Sequence, residues 1–208
     1  MKIICIGRNY AAHVGELGFG NETIPREPVF FLKPDTALLR NNAPFYIPQF
    51  SSEVHYETEL VVRIDRMGKC IEERFARRYY DEVTLGIDFT ARDLQRRAAE
   101  AGLPWEIAKG FDYSAAIAPQ WVSVEELGGD VQALDFEMSL DGEVRQHGDT
   151  RLMLFGVDRL ISYVSQFMTL RTGDLLYTGT PRGVGAVAAG QRLTASLCGR
   201  PLLDFEIR

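Results

Sequence analysis

Residues 55–64 read HYETELVVRI. The apolar, partly β-branched run after Glu59 predicts a strand over 57–64 that ends at the turn DRMGK (65–69). On a strand, residues i and i+2 share a face with their Cβ atoms roughly 6.5–7 Å apart, so Glu57 and Glu59 point the same way. Two like charges side by side are unfavourable unless water or a cation relieves them. The pair therefore has two readings here: a solvated strand face, or part of a cation site.

The rest of the chain reads as further strands with few helices. KIICI (2–6), PVFFL (28–32) and EVTLGIDF (82–89) are short apolar runs, and FEMSLDGEVRQ (136–146) is a hairpin turning at Asp141-Gly142. LLYTG (175–179), RLTASLCG (192–199) and LLDFEI (202–207) add more. YAAHVGELG (10–18) is a short helical stretch. A second helix is expected from Thr90 as N-cap, with Asp93 in a capping-box position, to a C-terminal Gly102. A third, over 157–170, carries Leu160, Ile161, Val164, Phe167 and Met168 at helical spacing. Strands outnumber helices and do not alternate with them, which predicts a β-rich α+β fold rather than a doubly wound one.

With 208 residues, 46% hydrophobic, the chain suits one catalytic domain over 1–208. Its net charge is −6, and no basic patch gathers beyond RFARRYY (74–80), so nucleic acid is not an expected partner. Cys5, Cys70 and Cys198 show no CxxC spacing, which argues against a disulfide framework or a thiolate metal site. The N-terminus turns polar after six residues and no run of 18 apolar residues occurs, so a cytoplasmic protein that does not enter a membrane is expected.

Asp88 interrupts an apolar strand, and a buried carboxylate is costly unless paired or metal-bound. With Glu57 and Glu59 it would form an all-oxygen site suited to Mg²⁺ or Mn²⁺. Alternatively, the glutamates are solvated and Asp88 caps a helix. His13 and Glu16, at i and i+3, share a helix face, either as a general-base dyad or as an ordinary exposed pair. His55 reads as an extra neighbour of the ligands, and His147 falls in a hairpin-end loop. Lys109, in PWEIAKGFD (104–112), is either an anion-holding group or a surface lysine. TGTPRGVG (178–185) is a Gly-rich turn without a Walker sequence, a tight loop or an anion nest. Residues 18–27, GFGNETIPRE, lack periodicity and are expected to form a loop that closes as a lid.

In combination and in order, GRNYAAHVGE, PVFFLKP, HYETELVVRI, GIDFTARDLQ, GLPWEIAKGFD, LDGEVRQ and ISYVSQFMTLRTGDLLYTGTPRGVG resemble the fumarylacetoacetate hydrolase family, in particular its short acylpyruvase and oxaloacetate decarboxylase-like members. The resemblance covers nearly the whole chain, with Ile87 standing where many relatives have Asn. It implies a mixed β-roll or sandwich with a few short peripheral helices, assembled as a homodimer. It implies a divalent metal, Mg²⁺ with Mn²⁺ or Ca²⁺ as alternatives, on Glu57, Glu59 and Asp88. It further implies His13 and Glu16 as a catalytic dyad with Lys109, and Arg92, Gln95, Lys109 and Thr180 as contacts to the substrate's carboxylate and carbonyl oxygens.

The activity so implied is metal-dependent C–C hydrolysis of acylpyruvates such as acetylpyruvate or fumarylpyruvate to pyruvate and a carboxylic acid, with oxaloacetate decarboxylation at the same site. A 2-oxo-dioate isomerase, decarboxylase or hydratase of aromatic degradation is the second reading. A catalytically silent metal-binding dimer is the third, disfavoured because every candidate ligand and the dyad are intact.

Overall fold

Ile3–Ile6 and nearly all of Thr58–Ile64 and Tyr80–Asp88 are buried on both faces, so these strands occupy the middle of a covered sheet rather than a solvated edge. The computed structural model, which describes residues 1–15 and 24–208, places them in a mixed eight-stranded sheet. Across it run Phe30–Lys33, Ile3–Ile6, Leu175–Tyr177, Thr58–Ile64, Tyr80–Asp88, Ala115–Ile117 and Leu38–Leu39, with Val122–Ser123 pairing onto Tyr80–Asp88. Two pairings are parallel, Ile3–Ile6 with Leu175–Tyr177 and Leu38–Leu39 with Ala115–Ile117; the others are antiparallel.

Alternation divides the core. Ile4, Ile6, Leu60, Val62 and Leu85 face the larger cluster, shared with the antiparallel sheet of Glu143–Asp149, Asp135–Leu140, Arg192–Leu197 and Arg200–Glu206 and with the helix Val157–Phe167. Ile3, Cys5, Val61, Leu175 and Tyr177 face a smaller cluster on the other side. Glu59 has the parity of Val61 and so points to that second face. Gly86 is required there: a Cβ on it would lie 2.5 Å from the Tyr177 ring and 2.8 Å from the Ala116 carbonyl, to which the Tyr177 hydroxyl donates at 2.9 Å.

The β-rich α+β class holds, with Ala11–Val14, Arg92–Ala101, Glu106–Lys109 and Val157–Phe167 as the α-helices among the described residues. Four local expectations are corrected. Thr90 is not an N-cap: Thr90–Ala91 pairs with Val54–Tyr56, the helix starts at Arg92, and Asp93 accepts instead from Ser51 Oγ and from the Ser52 backbone and hydroxyl. The later helix stops at Phe167, because Leu170 is drawn into a reciprocal backbone pair with Gly68. His147 lies within the strand Glu143–Asp149, not in a loop. Glu57 stands just outside its strand, as the hinge between Val54–Tyr56 and Thr58–Ile64, with its carbonyl accepting from Asp88 N at 2.8 Å. Gly102 closes its helix in the left-handed region at φ 64° as expected, and Asp141-Gly142 turn the hairpin with φ 54° and 80°.

Candidate metal centre and active site

The hinge at Glu57, the strand residue Glu59 and the strand end at Asp88 bring three buried carboxylates together. One oxygen from each lies within 4.8 Å of the other two. Like charges at this separation, out of water, require compensation. Lys109 Nζ bridges Glu57 Oε2 (2.7 Å) and Asp88 Oδ2 (2.8 Å), and Arg92 Nη2 reaches Glu57 Oε1 at 2.5 Å. Lys33 Nζ lies 2.6 Å from Asp88 Oδ1 and donates to the Ser114 (2.7 Å) and Phe89 (3.2 Å) carbonyls. Glu59 Oε2 accepts from Gly179 N at 2.7 Å.

These contacts split the two glutamates. Burial pushes the Glu57 carboxyl up, but Lys109 and Arg92, helped by His13, outweigh it and hold it well below the usual carboxylate range. Glu59 goes the other way: burial and then the charges of Asp88 and Glu57 raise it well above that range, against the smaller pull of Gly179 N–H and Lys109. Burial alone would lower Lys109, yet Asp88 and Glu57 hold its ammonium above its ordinary value.

The donor set fits a hard divalent cation. All three candidate ligands offer carboxylate oxygens, and Asp88 Oδ1, though ion-paired to Lys33, has no aligned hydrogen-bond donor.

Around the carboxylates Gly7, Arg8, His13, Arg92, Gln95 and Trp105 line a cavity of about 10 Å³, room for one water. Larger cavities lie elsewhere, one of about 290 Å³ bounded by Leu38, Arg40, Arg63 and Trp121, and one of about 340 Å³ beside Arg145, His147 and Arg182. Neither is lined by a carboxylate of the cluster.

The structure brings most of the expected site residues to this cavity. His13, buried in the helix Ala11–Val14, is on its wall; Glu16 lies outside the described residues, as do residues 18–23 of the expected lid. Arg92 donates from Nη1 to Gln95 Oε1 at 2.5 Å, one helical turn on, so the two are held as a unit. Thr180 does not line the cavity. Its hydroxyl donates to the Thr58 carbonyl (2.9 Å) and accepts from Gln146 Nε2 (2.8 Å). His55 backs Arg92 rather than the carboxylates: Arg92 Nε donates to its Nδ1 at 3.4 Å, while its Nε2 meets Glu53 at 2.8 Å. Burial and Arg92 lower the His55 pKa against the opposing pull of Glu53.

Three residues carry the arrangement without having been singled out in the sequence. Lys33 is one, and its signal was a lysine closing the apolar PVFFLK before proline. Asn9 is fully buried, donating to the Phe155 and Thr178 carbonyls (3.0 and 2.8 Å) and accepting from Phe155 N (2.8 Å). Gln146 accepts from Thr58 N (2.9 Å) and donates to Thr180 Oγ1 and the Pro181 carbonyl. Both fasten TGTPRGVG beside the carboxylates, and nothing in their local spacing marks them.

With this geometry in view, the comparison with known families is direct. The model of the fumarylacetoacetate (FAA) hydrolase C-terminal domain matches residues 2–204. The chain belongs to the fumarylacetoacetate hydrolase family. It is 42% identical over 206 residues to the mitochondrial oxaloacetate tautomerase FAHD1 of Arabidopsis thaliana, covering 99% of this chain and 90% of the relative. It is 42% identical over 208 residues to the mitochondrial oxaloacetate decarboxylase of Dictyostelium discoideum, covering 100% and 92%. Among solved structures it resembles fumarylpyruvate hydrolase of Pseudomonas aeruginosa in complex with Mn²⁺ and pyruvate, with TM-score 0.91 and 38% identity over 100% of this chain and 89% of that one. Family membership and these relatives make the protein an enzyme of this family.

Proposed function

We propose that the protein is a Mg²⁺- or Mn²⁺-dependent enzyme of 2-oxo acids that works through the enolate at C3, interconverting or decarboxylating oxaloacetate and hydrolysing acylpyruvates. The observation that carries this reading is the convergence of Glu57, Glu59 and Asp88 with Lys109 between them, in a cavity walled by Arg92, Gln95 and His13. The names of the relatives support its substrate class.

A bound divalent ion would polarise the 2-oxo and carboxylate oxygens of the substrate. Arg92, fixed by Gln95 and His55, would hold the substrate carboxylate while sharing its guanidinium with Glu57. The Lys109 ammonium, kept charged by its two carboxylates, stabilises negative charge developing on the C2 oxygen. For oxaloacetate, the C3–H bond breaks with its proton passing to the His13 imidazole, and the electron pair moves to the C2 oxygen. Loss of CO₂ reaches the corresponding pyruvate enolate without a base.

Acylpyruvate hydrolysis is the second reading, favoured by His13 on the cavity wall. There the imidazole, with Glu16 as the dyad partner implied by the sequence, takes a proton from water as the water attacks the C4 carbonyl. The C3–C4 bond then breaks, releasing a carboxylic acid, and the pyruvate enolate is protonated at C3. His13→Ala is expected to lower acetylpyruvate hydrolysis by about 10²–10⁴-fold while Mn²⁺ still binds. Wild-type hydrolysis in that variant would overturn the assignment. Assembly as a homodimer belongs to the same reading, and sedimentation equilibrium of the full chain checks it.

A further inference from the structure

We infer that the protein carries a second small-molecule site, for a carboxylate on an aromatic body, in the cavity of about 290 Å³ bounded by Leu38, Arg40, Arg63 and Trp121. Strand parity places it on the same face of the sheet as Glu59, but at the other end. Glu59, Val61 and Arg63 share that face of Thr58–Ile64, and Arg63 stands four residues, roughly 13 Å, along the strand from Glu59. The neighbouring strand runs between the same two ends: Leu175 lines the cavity, whereas the Gly179 N–H beyond Tyr177 holds Glu59. Cys5, Val61 and Tyr177, all fully buried, belong to the smaller core cluster between these ends, so the cavity is separate from the metal centre.

Its volume lies at the lower edge of the roughly 300–1,000 Å³ of small-molecule pockets, and its lining combines apolar surface with few charges. Leu38, Ile117 and Leu175 are members of the smaller core cluster, and the Trp121 indole packs against it. Of the two guanidiniums, Arg63 lies over the Trp121 ring, 4.7 Å from its centroid, and is paired with Glu82, so its charge is matched. Arg40 has no hydrogen bond or ion pair among the described residues. One unmatched guanidinium beside an apolar lining is complementary to a single carboxylate, which accepts from two of its N–H groups while the ligand's ring covers the apolar side chains. The backbone is set before any ligand arrives. Ala43 N donates to the Arg40 carbonyl at 3.1 Å across a turn with Asn41 and Asn42 at φ 60° and 51°. Buried Asp174, next to Leu175, accepts from Lys2 N and Arg171 N, both at 2.8 Å, which fixes the opposite wall.

The test titrates benzoate, benzamide and acetate into the Mg²⁺-loaded full chain. Benzamide keeps the ring without the charge, and acetate the charge without the ring. By calorimetry benzoate is expected to bind with a Kd on the order of 1 mM, roughly 10-fold tighter than either of the others. Arg40→Gln is expected to lose the preference for benzoate over benzamide, and Arg40→Lys, which keeps the charge without the planar fork, to retain part of it. Arg40 is exposed and bonds to nothing through its side chain, so both variants should unfold at the wild-type Tm without ligand. The place of binding is read from the indole N–H resonances of the chain's two tryptophans, Trp121 here and Trp105 at the metal centre. Benzoate should shift Trp121 and leave Trp105 unmoved. A shift of Trp105 alone, equal affinity for benzoate and benzamide, or a preference that survives Arg40→Gln would overturn the site while leaving the assignment of the metal centre intact.

Discussion

Lys33 shows how a single side chain can hold a metal ligand in place. It is buried against Asp88 Oδ1 and two backbone carbonyls, so its removal leaves Asp88 with less compensation in low dielectric. Lys33→Met is expected to destabilise the metal-free protein by about 3–5 kcal/mol. Saturating Mn²⁺ should recover much of that loss, because the cation replaces the missing charge. Denaturant unfolding with EDTA and with Mn²⁺ checks both halves; an equal loss in the two conditions would mean that Lys33 acts only on the fold. Glu59 supplies a pH dependence. Its folded pKa is raised, so in the metal-free chain its contribution to stability is full below the ordinary Glu value and is lost as pH rises through the raised folded value. A cation removes the cause, and its binding competes with the proton. The rise in Tm produced by Mn²⁺ is therefore expected to grow as pH increases across that window, and a rise that shrinks would contradict the assignment.

At the scale of elements, the site is made where regular pairing stops. Glu57 is the hinge between two strands, Asp88 ends another, and Gly179 lies in the turn after Leu175–Tyr177. Gly179 has φ 98°, and a Cβ on it would stand 2.7 Å from Asn9 Cβ, while its N–H holds Glu59. Gly179→Ala is expected to cost about 1–2 kcal/mol from the left-handed backbone alone. It should also weaken Mn²⁺ binding, measured by titration, by shifting that N–H. Unchanged affinity would show that the turn does not position Glu59. These boundaries explain what the sequence could disclose. The i, i+2 spacing of Glu57 and Glu59 and the intrusion of Asp88 into an apolar run are local signals that left a cation site and a solvated face both open, and the family resemblance selected the cluster. The failed N-cap at Thr90 depended on strand pairing with Val54–Tyr56, 35 residues away in His55 and Thr90, which propensity does not register. Lys33, Asn9 and Gln146 owe their roles to partners 56, 169 and 88 residues distant, such as the Phe89 and Thr178 carbonyls and Thr58 N.

Across the whole molecule, a covered mixed sheet provides two buried faces, and the carboxylates open from the smaller one at its end. The cavity there, of about 10 Å³, is filled by the pairing of Arg92 and Lys109 with Glu57. Loading the site accordingly means exchanging these internal ion pairs for contacts to cation and substrate, so metal and 2-oxo acid should stabilise the fold together more than either does alone. The most direct measurement is oxaloacetate turnover by the full chain after removal of divalent ions and stepwise addition of Mn²⁺, in parallel with Glu59→Gln. The account predicts no turnover by the stripped protein, recovery that saturates at one Mn²⁺ per chain, and no recovery in Glu59→Gln at the same concentrations. Full turnover by the stripped protein, or an unaltered Mn²⁺ dependence in Glu59→Gln, would contradict it.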